Sequence, residues 1–184
     1  MPLLGLGVYK LPDDVQAEAA VISAISAGYR MIDTASVYKN EESVGRAIAR
    51  CGVPRKDLFI TSKIWNTAQR LGDVQGAFSR SLDRLKLSYV DLCLIHWPVP
   101  GCYLSTWKEL EKILESGRAL SIGVSNFDIR HLEELRKISG IIPAVNQIEC
   151  HPLCYPSELI EYCKAFGIQV QAYAPPVSYT HLTL

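Results

Sequence analysis

Three ionisable side chains stand where apolar runs of the sequence stop, and a fourth lies just beyond one of them. Asp33 ends "YRMID", Tyr38 follows five positions on, Lys63 ends "LFITSK" and His96 ends "VDLCLIH". Brought together, they can carry out acid–base chemistry on a carbonyl. A phenol with a pKa near 10 is a poor proton donor at neutral pH. An ammonium about 4 Å away stabilises phenolate by roughly 4 kcal/mol at an effective dielectric of 20, before desolvation. That shift moves the phenol toward what general acid catalysis requires. Asp33 would hold Lys63 charged and aimed, and His96 could donate to the carbonyl oxygen. Such a set protonates oxygen while a hydride reaches carbon. Side chains cannot supply hydride, so a nicotinamide is implied.

Each residue taken alone has a plainer reading. A strand-end aspartate is often a turn former, and a lysine after "TS" can simply extend to water. His96, before Trp97 and Pro98, can be a structural histidine. Ser125 and Asn126 can cap the helix that follows, and Tyr173 can be rim packing. Only a fold that gathers the residues makes the chemistry.

The spacing of the apolar runs suggests such a fold. They cover 3–9, 29–33, 58–63, 90–96, 119–126, 143–149 and 168–174. They recur at roughly the length of a βα unit, and their near-continuous Val, Ile and Leu content suits parallel strands covered by helices. Between them lie amphipathic segments with acidic or small polar starts and glycine stops: "DDVQAEAAVISAISAG", "NEESVGRAIARCG" with Asn40 as N-cap, "LSTWKELEKILESG", "DIRHLEELRKISG" and "PSELIEYCKAFG". The pattern reads β(αβ)₆ in one α/β domain. An open nucleotide-binding sheet should show G-x-G-x-x-G after its first strand, but Gly5 and Gly7 are followed by Lys10 in the third position. A (β/α)₈ barrel, the TIM barrel, fits better. Its strand C-termini share one face, and along that rim come Asp33, Lys63, His96, Ser125, Asn126, Gln147, Glu149 and Tyr173.

Composition narrows the class. The 184 residues carry 19 basic and 19 acidic side chains, 48% hydrophobic content and a net charge of zero. Nothing there points to nucleic acid or an anionic membrane as partner. No apolar stretch approaches the roughly 20 residues that span a bilayer, and the N-terminus lacks a signal-peptide pattern. The six cysteines have no CxxC pair and read as reduced thiols of a cytoplasmic protein. Cys150, His151, Cys154 and Cys163 lack the paired spacing of a zinc site, and the cysteines read as ordinary buried thiols.

With "GYRMIDTASVYKNEESVG", "LFITSK", "LCLIHWP", "SIGVSNF" and "NQIECHP" in this order, residues 3–174 resemble the aldo-keto reductases. The resemblance implies a barrel that reduces aldehydes and ketones with NADPH. Tyr38 would be the proton donor, tuned by Asp33 and Lys63, with His96 orienting the carbonyl. Ser125, Asn126 and Gln147 would hold the nicotinamide carboxamide, and Tyr173 would stack on its ring. Trp65 and Trp97 would suit a small carbonyl substrate, or serve only in packing. The short connection after His96 is similar to bacterial members of the 2,5-diketo-gluconate and glyoxal reductase kind.

The family pattern implies an eighth strand and a C-terminal loop beyond Ala174, where the cofactor pyrophosphate and 2′-phosphate are gripped. Here residues 1–174 would form a barrel of about seven strands. Residues 175–184, "PPVSYTHLTL", read as a tail not native to the fold, and reduced activity is expected. Two other readings stay open: a non-catalytic barrel fragment acting as a binding or regulatory module, and a lyase or isomerase using Lys63 as a Schiff-base amine.

Overall fold

The computed structural model describes residues 1–173. Seven strands form one parallel sheet in sequence order: β1 (Gly5–Gly7), β2 (Met31–Asp33), β3 (Phe59–Ile64), β4 (Leu92–Ile95), β5 (Ile122–Ser125), β6 (Val145–Glu149) and β7 (Gln169–Tyr173). Six successive parallel pairings curl the sheet into a nearly closed barrel, and among the described residues the β1 and β7 edges do not pair with each other. The tail expected at 175–184 lies outside the described residues.

Helices cover the outside: α1 (Val15–Ser26), α2 (Glu41–Arg50), α3 (Asn66–Leu71), α4 (Val74–Leu85), α5 (Tyr103–Glu115), α6 (Ile129–Ile138) and α7 (Ser157–Ala165). Several begin as their residue types dictate. The Asp14 carboxylate accepts from the N–H groups of Gln16 (2.8 Å) and Ala17 (3.2 Å), so α1 starts with two of its free donors satisfied. Asp128 caps α6, and His131 answers it in a reciprocal box. Asn40 occupies the N-cap position of α2 as expected, but its side chain makes no capping bond. Its amide is buried and donates instead to the carbonyls of Val8 (2.8 Å) and Leu11 (3.0 Å).

Strand alternation sorts side chains into two cores. Leu92, Leu94 and Val145, with Phe59 against them, fill the barrel interior. Their neighbours Ile60, Cys93, Ile95 and Val124 point outward into the larger cluster beneath the helices, with Trp107, Phe78 and Leu110. The layer outside the strands also holds buried charge, most deeply at Glu41. Glu41 of α2 accepts from Ser62 Oγ (2.7 Å) and from Arg84 of α4 at Nε (2.8 Å) and Nη2 (2.6 Å). A paired, fully bonded carboxylate is the form in which such a charge is tolerated. Gly45 lets α2 pass against the Leu85 carbonyl, where a Cβ would collide with backbone.

Candidate active site

The same alternation that puts Met31, Phe59, Leu92 and Val145 inside puts Asp33, Lys63, His96 and Gln147 inside as well, one or two pleats nearer the C-terminal rim. The parallel register aligns them: Asp33 faces Thr61, Lys63 faces Leu94, and Ser125 faces Gln147. Tyr38 arrives differently, on a single 3₁₀ turn, Ser36–Tyr38, just past β2. That turn is fixed to β3 by Ser36 Oγ donating to the Lys63 carbonyl at 3.1 Å. Lys39 then takes a left-handed conformation (φ 57°) that turns the chain into α2.

Lys63 is fully buried and its ammonium has three oxygen partners. It pairs directly with Asp33 Oδ1, donates to the Thr34 carbonyl at 3.1 Å, and lies 3.4 Å from the Tyr38 hydroxyl. Burial works against its charge, but Asp33 and Tyr38 outweigh burial and hold its pKa above the usual lysine value. That is the reverse of what an amine nucleophile needs, so the Schiff-base reading loses its physical basis.

Tyr38 departs from the simple expectation that Lys63 lowers its pKa. The ammonium does pull the phenol down, but burial pushes it up by more and Asp33 adds to the rise, so the net direction is upward. Hydrogen bonds at such sites are often long before substrate is bound.

His96 stacks edge-on between Trp65 (5.0 Å between ring centroids) and Tyr38 (5.7 Å). Burial, and then the Lys63 charge, push its pKa down to about 3. The ring is therefore neutral at any ordinary pH and can act as a hydrogen-bond donor without contributing charge. Its Nδ1 is buried and has no partner among the described residues.

Ser125, Asn126, Gln147 and Tyr173 form one connected group beside this cluster. Ser125 Oγ donates to the Gln147 carbonyl (2.9 Å), and Asn126 Nδ2 donates to the His96 carbonyl (3.0 Å) and Ser125 Oγ (3.1 Å). The Tyr173 hydroxyl donates to Asn126 Oδ1 at 2.9 Å. Asn126 holds φ of 62°, a left-handed geometry that asparagine tolerates better than most residues. Gln147 Nε2 donates to Asp33 Oδ2 at 2.7 Å. Trp65 borders the site through its contact with His96, whereas Trp97 is 44% exposed and is tied in by its backbone carbonyl, which accepts from Gln69 (3.0 Å).

Tyr9 also belongs to this site, although sequence reasoning passed over it. Its ring lies 5.0 Å from that of Tyr38, and Asn40 fixes its loop by bonding the carbonyls on either side of it. The rim rule could have found it, because Tyr9 closes the first apolar run, two residues past β1. His151 turns away from the two cysteines near it: Nδ1 accepts the Leu153 N–H (3.2 Å), which leaves Nε2 to donate to Glu149 (3.1 Å).

The sequence pattern of the aldo/keto reductase family matches residues 3–178. The chain belongs to the aldo/keto reductase family. Among curated relatives, the glyoxal reductase of Bacillus subtilis is 51% identical over 175 residues, covering 95% of this chain and 63% of its own length. A 9,11-endoperoxide prostaglandin H2 reductase of Trypanosoma cruzi is 47% identical, with 95% and 62% covered. This chain thus spans just under two thirds of the length of those relatives. An aldo/keto reductase structure from Brucella melitensis superposes with a TM-score of 0.92 at 46% identity, over 96% of this chain and 69% of that one. The Bombyx mori aldo-keto reductase in complex with NADP gives 0.88 at 40% identity, over 95% and 62%. The fold is therefore that of an aldo/keto reductase barrel, α/β in class, with one seam unsealed. Among the described residues no helix is long and apolar enough to cross a membrane.

Proposed function

We propose that this chain carries the catalytic rim of an NADPH-dependent reductase of small aldehydes and ketones, in which Tyr38 gives the proton. The observation that carries the reading is the contact chain from Asp33 through Lys63 to Tyr38, with neutral His96 against the same phenol. In that reading His96 donates to the carbonyl oxygen and sets its direction. Tyr38 then releases its proton to that oxygen as negative charge develops there. Lys63 stabilises the phenolate left behind, and Asp33 keeps Lys63 charged.

NADPH supplies the hydride when bound. The residues fit its nicotinamide end: a hydroxyl and two amides (Ser125, Asn126, Gln147) are neutral donors and acceptors suited to a neutral carboxamide, and Tyr173 offers a flat ring held by its own hydroxyl. Trp65 and Tyr9 would border the substrate and exclude water from the phenol. The names of the relatives, a glyoxal reductase among them, support a small carbonyl substrate.

Tyr38→Phe tests the reading, with aldehyde-dependent NADPH oxidation as the readout. General acid catalysis contributes about 10²- to 10⁴-fold, so a loss of that order is expected. A variant as fast as the parent chain refutes Tyr38 as the acid.

A further inference from the structure

Gln147 and Asp33 lie on β6 and β2, 114 positions apart in sequence. Three strands separate them one way around the sheet and the β1–β7 seam separates them the other way. Their hydrogen bond therefore crosses the mouth of the barrel. Among the described residues it is one of two side-chain bonds that fix the Asp33 carboxylate. Oδ1 takes the Lys63 ammonium and Oδ2 takes the Gln147 amide N–H, so the plane of the carboxylate is set by both together. Gln147 is 5% exposed and Lys63 1% exposed, so solvent is poorly placed to substitute for either bond.

We propose that Gln147 is a positioning residue for the proton donor: its amide, donated to Asp33 across the barrel mouth, holds Asp33 against Lys63 and so keeps the ammonium beside the Tyr38 hydroxyl. This rests on the Tyr38–Lys63 reading of the site. It gives Gln147 a task that precedes any cofactor contact, and it fixes the amide so that Nε2 is committed inward to Asp33.

The charge balance around Tyr38 gives the effect its sign. Lys63 faces the phenol from β3, Asp33 from β2, Tyr9 from the loop after β1, His96 from the end of β4, and Tyr173 from β7. Lys63 is the cation of that set. Burial alone would strip its charge, and Asp33 opposes this. An Asp33 free to rotate would hold Lys63 less firmly, and the phenol would lose cationic support as it ionises.

The test is a titration of Tyr38 in the cofactor-free protein, by NMR of ring-¹³C-labelled tyrosine, with the signal assigned by its loss in Tyr38→Phe. Gln147→Met keeps length and bulk but removes the donor. The Tyr38 midpoint is expected to rise by at least about half a pH unit. If Gln147 only fills space, methionine leaves the midpoint unchanged. If it only holds cofactor, the midpoint of the cofactor-free protein is again unchanged. Either result overturns the proposal, as does a fall.

Should Gln147→Met not fold, Gln147→Leu also removes the donor without adding charge, and the same upward shift is expected. Reductase turnover separates this from the wider reading. A shifted midpoint in a chain that reduces no aldehyde leaves the positioning intact and removes the function. Normal reduction with an unshifted midpoint does the opposite.

Discussion

At the scale of single residues, the site is a problem in keeping charge where water is scarce. An unpaired buried ammonium would shed its proton. Lys63 keeps its proton because Asp33, the Thr34 carbonyl and Tyr38 surround it. His96 takes the other course and stays neutral, which makes it a liability in acid. Its folded pKa, about 3, lies below the ordinary 6.5. Between those values the unfolded chain binds a proton that the folded chain refuses, so its contribution to stability, complete above pH 6.5, is lost as pH falls toward 3. The slope approaches about 1.4 kcal/mol per pH unit. Denaturant titrations at pH 7, 5 and 4 should show the parent chain losing more stability than His96→Gln, by roughly 1 kcal/mol or more per unit. Parallel losses would mean that His96 is not the buried neutral group described. Asp33, Lys63 and His96 were legible in the sequence because each ends an apolar run, and Tyr38 because it follows closely on one. The net direction of the Tyr38 pKa was not, because it depends on how far burial outweighs one ammonium, a quantity that spacing does not contain.

At the scale of elements, the strand ends deliver most of the site and the loops deliver Tyr38 and Tyr9. Asn40 links those two loops. It accepts from Thr34 Oγ1 (2.9 Å) at the end of β2 and donates to the carbonyls of Val8 and Leu11 after β1. Removing its side chain takes one donor from the Val8 carbonyl, which keeps the Leu11 N–H, and deprives the Leu11 carbonyl and the buried Thr34 hydroxyl of this partner, at about 1–3 kcal/mol in all. Asn40→Ala should lower unfolding free energy by that amount, measured in denaturant. A loss below roughly 0.5 kcal/mol, the usual range for a surface change, would show the tie to be dispensable. An asparagine before a helix invites the capping interpretation, and only the tertiary fold shows its amide turned toward β1. The stretch between β3 and β4 was the least legible element. It holds two helices, α3 and α4, where the sequence shows no continuous amphipathic segment between clear start and stop residues. Gly72 and Gly76 break the periodicity there: Gly72 ends α3 in a left-handed conformation (φ 67°), and α4 restarts after Asp73.

At the scale of the whole molecule, the spacing and composition of the apolar runs indicate seven parallel strands. The missing glycine fingerprint together with the polar strand ends favours a barrel with a shared rim over an open sheet. The two-core division follows from the same residues once alternation is applied: 59, 61 and 63 on one face of β3, 60, 62 and 64 on the other. The chain covers about 63% of the Bacillus subtilis glyoxal reductase. The proposed site involves the nicotinamide end of the cofactor, and charge-assisted contacts to the phosphates would each add about 1.5–3 kcal/mol. A chain extended to the relatives' full length with family sequence after Ala174 should therefore show a KM for NADPH lower by tenfold to a hundredfold for each such contact. Equal KM values would show that the described residues hold the cofactor unaided. The central claim is that Tyr38 and Lys63 act as one unit on the carbonyl, and a double-variant cycle reads this directly. Single-turnover NADPH oxidation would be measured for Tyr38→Phe, Lys63→Met and the double variant. The account predicts that the double variant is slower than the slower single variant by no more than about threefold, because each change already disables the same proton transfer. Losses that multiply, or a Lys63→Met rate equal to the parent's, would contradict it.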